Sequence, residues 1–268
     1  MNSVQYSRRH ILKSGLSAGF AFASLPALSQ INGINEAINK AGRQRMLSQR
    51  MAKAWLAVGQ DVESSRAEKI LFDSMSLFDR QFEELKAFAP NAEIKSTYST
   101  LESVWSDYKA ALVGASPALN TTPQLIKLDS KVLALAHQGT VQLEKYSGQS
   151  VSKLVNLAGR QRMLSQRMAK YYLSNRWGAL IPEQVGELNK AREEFQKALI
   201  VLEQAPEATS QIQREIEVAS QQWVFFNNAL QRLTESTHTK KHAIEVFASS
   251  ERLLTQMDLV TGLYSRLA

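Results

Sequence analysis

The run AGRQRMLSQRMAK occurs twice, letter for letter, from Ala41 to Lys53 and from Ala158 to Lys170, an offset of 117 residues. Exact self-similarity at a fixed spacing marks two copies of one structural unit, and it limits the chain to folds that can be built from two like halves. The likeness continues more weakly at an offset of 118: VWSDYKAAL from Val104 faces QWVFFNNAL from Gln222, pairing Trp105 with Trp223, and Tyr146 faces Tyr264. The units therefore run over 30–147 and 148–268.

Each unit reads as four helices. Helix-favouring residues dominate, and 12 Gly and 6 Pro in 268 residues are too few for an all-β chain of this length. Periodicity and punctuation predict helices over 31–58, 63–88, 92–113 and 123–147, and again over 148–177, 183–204, 208–233 and 239–267. Gly59, Pro90, Pro117 and Pro123 separate the first four; Gly178, Pro182 and Pro206 separate the second. Between the units stands only Gly148 and no proline. The expectation is therefore an all-α protein of two tandem antiparallel four-helix bundles, joined by one long continuous helix over 123–177.

On a helical wheel the repeated segment has two faces. One stripe is Ile34, Ile38, Ala41, Arg45, Ser48, Ala52 and Leu56; its counterpart is Val151, Val155, Ala158, Arg162, Ser165, Ala169 and Leu173. Each is apolar or small except for one central arginine. Met46, Leu47 and Met51, with Met163, Leu164 and Met168, lie on the other side beside Arg43, Arg50, Arg160 and Arg167. Small residues invite close approach of a second helix, and that approach encloses a guanidinium. A buried, unpaired arginine costs several kcal/mol, so it needs a partner. Two partners fit. Arg45 and Arg162 could meet across a pseudo-twofold axis, or across a homodimer, with a planar oxyanion between their forks. Alternatively each pairs with a carboxylate, for which Glu36, Glu144 and Asp258 are candidates. Ser48 and Ser165 are either ligand contacts or small residues at a crossing. The aromatics Phe72, Phe78, Phe82, Trp105, Trp223 and Phe225 recur at helical spacing and read as core.

Residues 7–30 read SRRHILKSGLSAGFAFASLPALSQ: a basic start, an apolar stretch and small residues ending at Ser29. This is an export signal over 1–29, and Arg8–Arg9 in SRRHILK resemble a twin-arginine motif. Removing its three basic residues lowers the formal charge from +7 to about +4. No aromatic-interleaved basic patch occurs, which argues against a nucleic-acid partner. No later run is apolar enough to span a bilayer. Without Cys there is no thiolate chemistry, and His238 and His242 flank Lys240 and Lys241, a poor setting for a metal. No hydrolase, metalloprotease or phosphate-loop motif is present, so neither an enzyme nor a cofactor is expected.

INKAGRQRMLSQRMAKAWL and LVNLAGRQRMLSQRMAKYYL resemble the signature of the PilJ-type domain, the N-terminal sensor module of type IV pilus chemotaxis transducers. They are also similar to the P-box helix of NarX-type nitrate/nitrite sensor kinases. The resemblance implies a periplasmic four-helix sensor in which Arg45 and Arg162, with Gly42, Gly159, Ser48 and Ser165, bind an anion, nitrate or nitrite first; Arg50 and Arg167 are secondary candidates. The expected function is an exported binding protein that recognises a small oxyanion and reports to a membrane receptor or sensor. The alternative is an interaction module that docks on a chemoreceptor or pilus-associated complex without a small ligand.

Overall fold

The structure, a computed structural model, describes residues 30–114, 116–179, 183–231 and 239–267, without the side chains of 183–185. The export signal, Pro182 and His238 lie outside them. Eight α-helices follow one another: α1 Ile34–Gly59, α2 Ser64–Phe88, α3 Ala92–Val113, α4 Thr122–Ser147, α5 Ser150–Arg176, α6 Glu183–Glu203, α7 Ser210–Gln231 and α8 Lys240–Ser265. A 3-10 turn over Leu119–Thr121 leads into α4, and no strand occurs among the described residues. The all-α expectation holds, with helix ends within about three residues of the sequence reading.

Local chemistry sets the boundaries. Pro90 bars continuation of α2, and Asn91 caps α3 by accepting from the Ile94 amide at 2.9 Å. Pro123 sits in the first turn of α4, where a missing N–H costs nothing.

The continuous helix over 123–177 is not formed. α4 ends at Ser147, where Gly148 takes the left-handed conformation (φ 66°, ψ 0°) and its amide caps the Glu144 carbonyl at 3.1 Å. Gln149 is extended, and α5 begins at Ser150. A single glycine suffices because only glycine enters that conformation without steric cost. Packing supplies the driving force: a straight rod would carry the stripe from Val151 to Leu173 away from its counterpart and leave both wet. The reversal instead lays α5 beside α1, parallel and in register. Ser152 donates to Asn35 at 2.5 Å near the start of the pair, and Gln60 donates to the Leu173 carbonyl at 2.9 Å near its end.

α1 and α5 thus form the axis of the molecule. α2 and α4 flank α1, α6 and α8 flank α5, and α3 and α7 close the two outer sides against α4 and α8. α8 also touches α1, and α4 touches α5, so the two units share one core. The repeat is visible inside each half: Phe78 stacks on Trp105 at 4.0 Å between centroids, and Phe195 stacks on Trp223 at 4.5 Å. Met46, Leu47, Met51 and their counterparts Met163, Leu164 and Met168 fill the interior, as the wheel expects. Two aromatics depart from that reading. Phe72 and Phe225 are exposed, because the interior of each bundle is already filled by neighbours such as Leu71 and Phe226.

Candidate functional site

The site lies where α1 and α5 approach closely at Gly42 and Gly159. Gly42 and Gly159 face each other there. A Cβ on Gly42 would lie 3.1 Å from Arg45 Nη2 and 3.4 Å from Arg162 Nη2; one on Gly159 would lie 3.0 Å from Arg162 Nη2 and 3.7 Å from Arg45 Nη2. The two glycines therefore make room for both guanidiniums, which meet over the crossing as the stripe reading expects. Both arginines are fully buried.

Their partners are alike on one side and different on the other. Arg45 Nη2 donates to Asn156, to Oδ1 at 2.7 Å and to the backbone carbonyl at 3.3 Å. Arg162 Nη2 donates to the carbonyl of Asn39, the residue that matches Asn156, at 3.0 Å. The Nη1 atoms diverge. Arg162 Nη1 is paired with the Asp258 carboxylate, which also takes Arg43 Nη2 at 2.7 Å. Arg45 Nη1 meets His137 Nδ1 at 3.2 Å, a neutral group. Glu144 acts on Arg45 through Asn156, whose amide it accepts. Of the two kinds of partner weighed from the sequence, Arg162 thus has a carboxylate and Arg45 has none in direct contact among the described residues. Asp258 was one of three candidate partners; Glu36 binds Lys40 and the Asn32 amide instead. The Nε atoms of both arginines have no hydrogen-bond partner.

Burial and the nearby Arg160 and Arg162 push the Arg45 guanidinium below its ordinary range. Burial lowers Arg162 as well, and Asp258 opposes that shift. Asp258 itself is held down to about 2 by Arg162 and Arg43, against the effect of its burial. His137, half-buried, is pushed down to about 4, first by desolvation and then by Arg45 and Arg160. It is neutral at pH 7, and a neutral ring that accepts at Nδ1 carries its proton on Nε2.

About two turns further along, the repeat builds a second polar layer that the wheel reading did not foresee. Lys53 and Lys170 reach across the axis. Lys53 Nζ donates to Gln166 Oε1 at 2.6 Å and to Glu251 of α8 at 2.5 Å; Lys170 Nζ donates to Gln49 Oε1 at 2.7 Å and to Asp129 of α4 at 2.5 Å. Each lysine thus leaves its own unit and is neutralised by the other. Both are almost wholly buried. The signal was present, because identity between the copies runs on through Gln49 and Lys53 to the last letter.

The remaining candidates find structural partners. Ser48 and Ser165 donate back to the Arg45 and Arg162 carbonyls at 2.9 and 2.8 Å and accept from Gln49 and Gln166. They serve the close crossing. Arg50 grips Glu251 through Nε and Nη2, at 3.1 and 2.5 Å, and Arg167 pairs with Glu187 at 3.0 Å and donates to the Tyr171 hydroxyl at 2.6 Å. Arg160 pairs with Glu194.

A cavity of about 320 Å³ opens between α4 and α5 on the Arg45 side. Arg45, His137, Arg160, Arg167 and Lys170 line it, with Leu133, Met163 and Tyr171 as its apolar wall. Among the described residues no group of three or more His, Asp or Glu is placed to hold a metal ion. None of their helices is long and apolar enough to cross a membrane.

Fold and site together define a paired helical bundle whose two central helices bury a cluster of cations at a pseudo-twofold axis. The chain belongs to the PilJ family, described as the N-terminal part of type IV pili methyl-accepting chemotaxis transducers, which matches residues 27–130 and again 147–261. No curated protein and no solved structure matches it.

Proposed function

We propose that the protein is an exported, non-catalytic sensory module that receives a small oxyanion at the Arg45–Arg162 pair and passes the bound state to a membrane receptor. The observation that carries this reading is the pair itself: two fully buried guanidiniums over two facing glycines, both with a free Nε, and one of them without a direct carboxylate. Charge-assisted hydrogen bonds to an anion are worth roughly 1.5–3 kcal/mol each in such a setting. Asp258 already serves Arg162, so the Arg45 side is the better receptor. Nitrate and nitrite, planar and singly charged, are the first ligands to try, in line with the P-box resemblance. Gly42 and Gly159 give the guanidiniums their room, and Ser48 and Ser165 hold the crossing; Arg50 and Arg167 are steadied by carboxylates.

Family membership supports the sensory class and the receptor partner. The twin-arginine-like leader supports export to the periplasm, and Arg8→Lys with Arg9→Lys together should abolish that export. One observation favours the second reading, a docking module without a small ligand: the Arg162–Asp258 pair is a self-sufficient packing element. Calorimetry separates the two. Nitrate or nitrite should bind the wild-type protein more tightly than chloride or sulfate, and Arg45→Ala should remove the difference. No anion-specific heat in the wild type would leave the docking reading in its place.

A further inference from the structure

The two copies of the repeated helix present the same cations to different neighbours. At the offset of 118, α8 carries Glu251 and Asp258 where α4 carries Leu133 and Thr140. On the α8 side those two carboxylates hold Arg43, Arg50, Lys53 and Arg162. On the α4 side the matching cations are Arg160, Arg167, Lys170 and Arg45. The first two turn outward to Glu194 and Glu187 of α6, and Lys170 takes Asp129. Arg45 has no carboxylate in contact among the described residues. Leu133 can make none of the ion pairs that Glu251 makes, and it lines a cavity of about 320 Å³.

We propose that this cavity is a second binding site, on the α4 side of the arginine seam and sharing Arg45 with it, and that its ligand is a small organic monocarboxylate. The contacts select one negative group: three of its four fixed cations each touch one carboxylate, and Arg45, which reaches Glu144 only through Asn156, touches none among the described residues. Its Nε is fully buried and has no partner. His137 supplies a second donor, since Nδ1 faces Arg45 and Nε2 then carries the proton. The volume and the wall select an organic body. A bare inorganic oxyanion would fill little of the space, and a gap forfeits dispersion contacts, whereas Leu133, Met163 and the Tyr171 ring offer an apolar surface. Tyr171 is fixed for that role: Arg167 holds its hydroxyl, and Arg167 and Lys170 lie over its ring at 5.2 and 4.9 Å. The volume, about 320 Å³, lies at the small end of ligand pockets, which favours a small ligand.

Benzoate is the probe, with benzamide as its neutral isostere. Benzoate should bind the wild-type protein one to one and raise its thermal midpoint, and benzamide should bind at least tenfold more weakly. Ala134 is exposed at the rim, so Ala134→Trp should close the cavity, weaken benzoate at least tenfold and leave the midpoint of the free protein unchanged. Leu133→Glu copies the α8 residue into α4 and supplies the missing carboxylate from within; it should abolish benzoate binding by an independent route. Absence of benzoate binding, equal binding of benzamide, or wild-type benzoate affinity in either folded variant overturns the proposal. A nitrate response that persists in Ala134→Trp marks the seam as a separate site. Failure of nitrate alongside success of benzoate removes the oxyanion reading and leaves this one standing.

Discussion

Where α8 packs beside α1, Arg43, Arg50, Lys53 and Arg162 all end on two carboxylates, Glu251 and Asp258. Where α4 packs beside α5, the matching arginines and lysine are neutralised one by one from α4 and α6, and the hydrogen-bond partners of Arg45 among the described residues are neutral. The repeated segment is identical on both sides. The difference therefore lies wholly in the helices that pack against it. A duplicated unit needs the exact repeat to keep its two central helices in register, and it is free to diverge in the flanking helix. One side becomes a closed ion network; the other keeps a charge and a cavity.

The strongest way to break the closed side is Glu251→Gln. It removes the only carboxylate among the described residues in contact with buried Lys53, and the fork that holds Arg50, leaving charges under cover. The expected cost is about 3–5 kcal/mol, or a fall of about 10 °C in Tm, read by thermal denaturation. Glu187→Gln, which frees Arg167 at a partly exposed pair, should cost less than about 1 kcal/mol.

Asp258→Asn should cost less than Glu251→Gln, about 1–2 kcal/mol, because the Asp258 side chain is 41% exposed. Its second effect sharpens the comparison: it opens Arg162 as Arg45 is open, so an anion that stabilises the wild type should stabilise this variant more. The pH dependence is also fixed in sign. A carboxylate held down to about 2 contributes stability that is present above its unfolded value and lost as pH falls through 2. The variant should therefore have a flatter acid limb below about pH 4.

His137 works in a different window. Its folded value of about 4 lies below the ordinary 6.5, so the unfolded chain binds the proton more readily. Stability is full above pH 6.5 and declines as pH falls toward 4. The ring is only half-buried, which limits the effect to about 1 kcal/mol. His137→Gln should flatten stability between pH 4 and 6.5 and leave the acid limb of Asp258 intact.

The fold class and the meeting of Arg45 with Arg162 were legible because both follow from the 3.6-residue period of one helix. The reversal after α4 was not. Without proline, a lone Gly148 reads as tolerable inside a rod, and only the need to bury the stripe from Val151 to Leu173 against α1 turns it into a stop. The lysine layer was half legible: Gln49 and Lys53 lie inside the exact repeat, but their partners Asp129 and Glu251 sit on α4 and α8 at positions that do not correspond. The cavity was hidden for the same reason, since it exists where Leu133 stands opposite Glu251, a contrast that no pattern within either helix reveals.

The central claim is that Arg45 is a buried charge with no carboxylate in contact among the described residues, reaching Glu144 only through Asn156, and that Arg162 is paired directly. Comparing the unfolding free energies of Arg45→Met and Arg162→Met, without added anions at pH 7, tests it most directly. Replacing a buried charge that lacks a counter-ion in contact by an apolar chain of similar length should cost less than about 1 kcal/mol or even stabilise. Removing Arg162 leaves Asp258 with Arg43 alone and should cost about 2 kcal/mol more than the Arg45 change. Equal losses, or a greater loss at Arg45, would contradict the account.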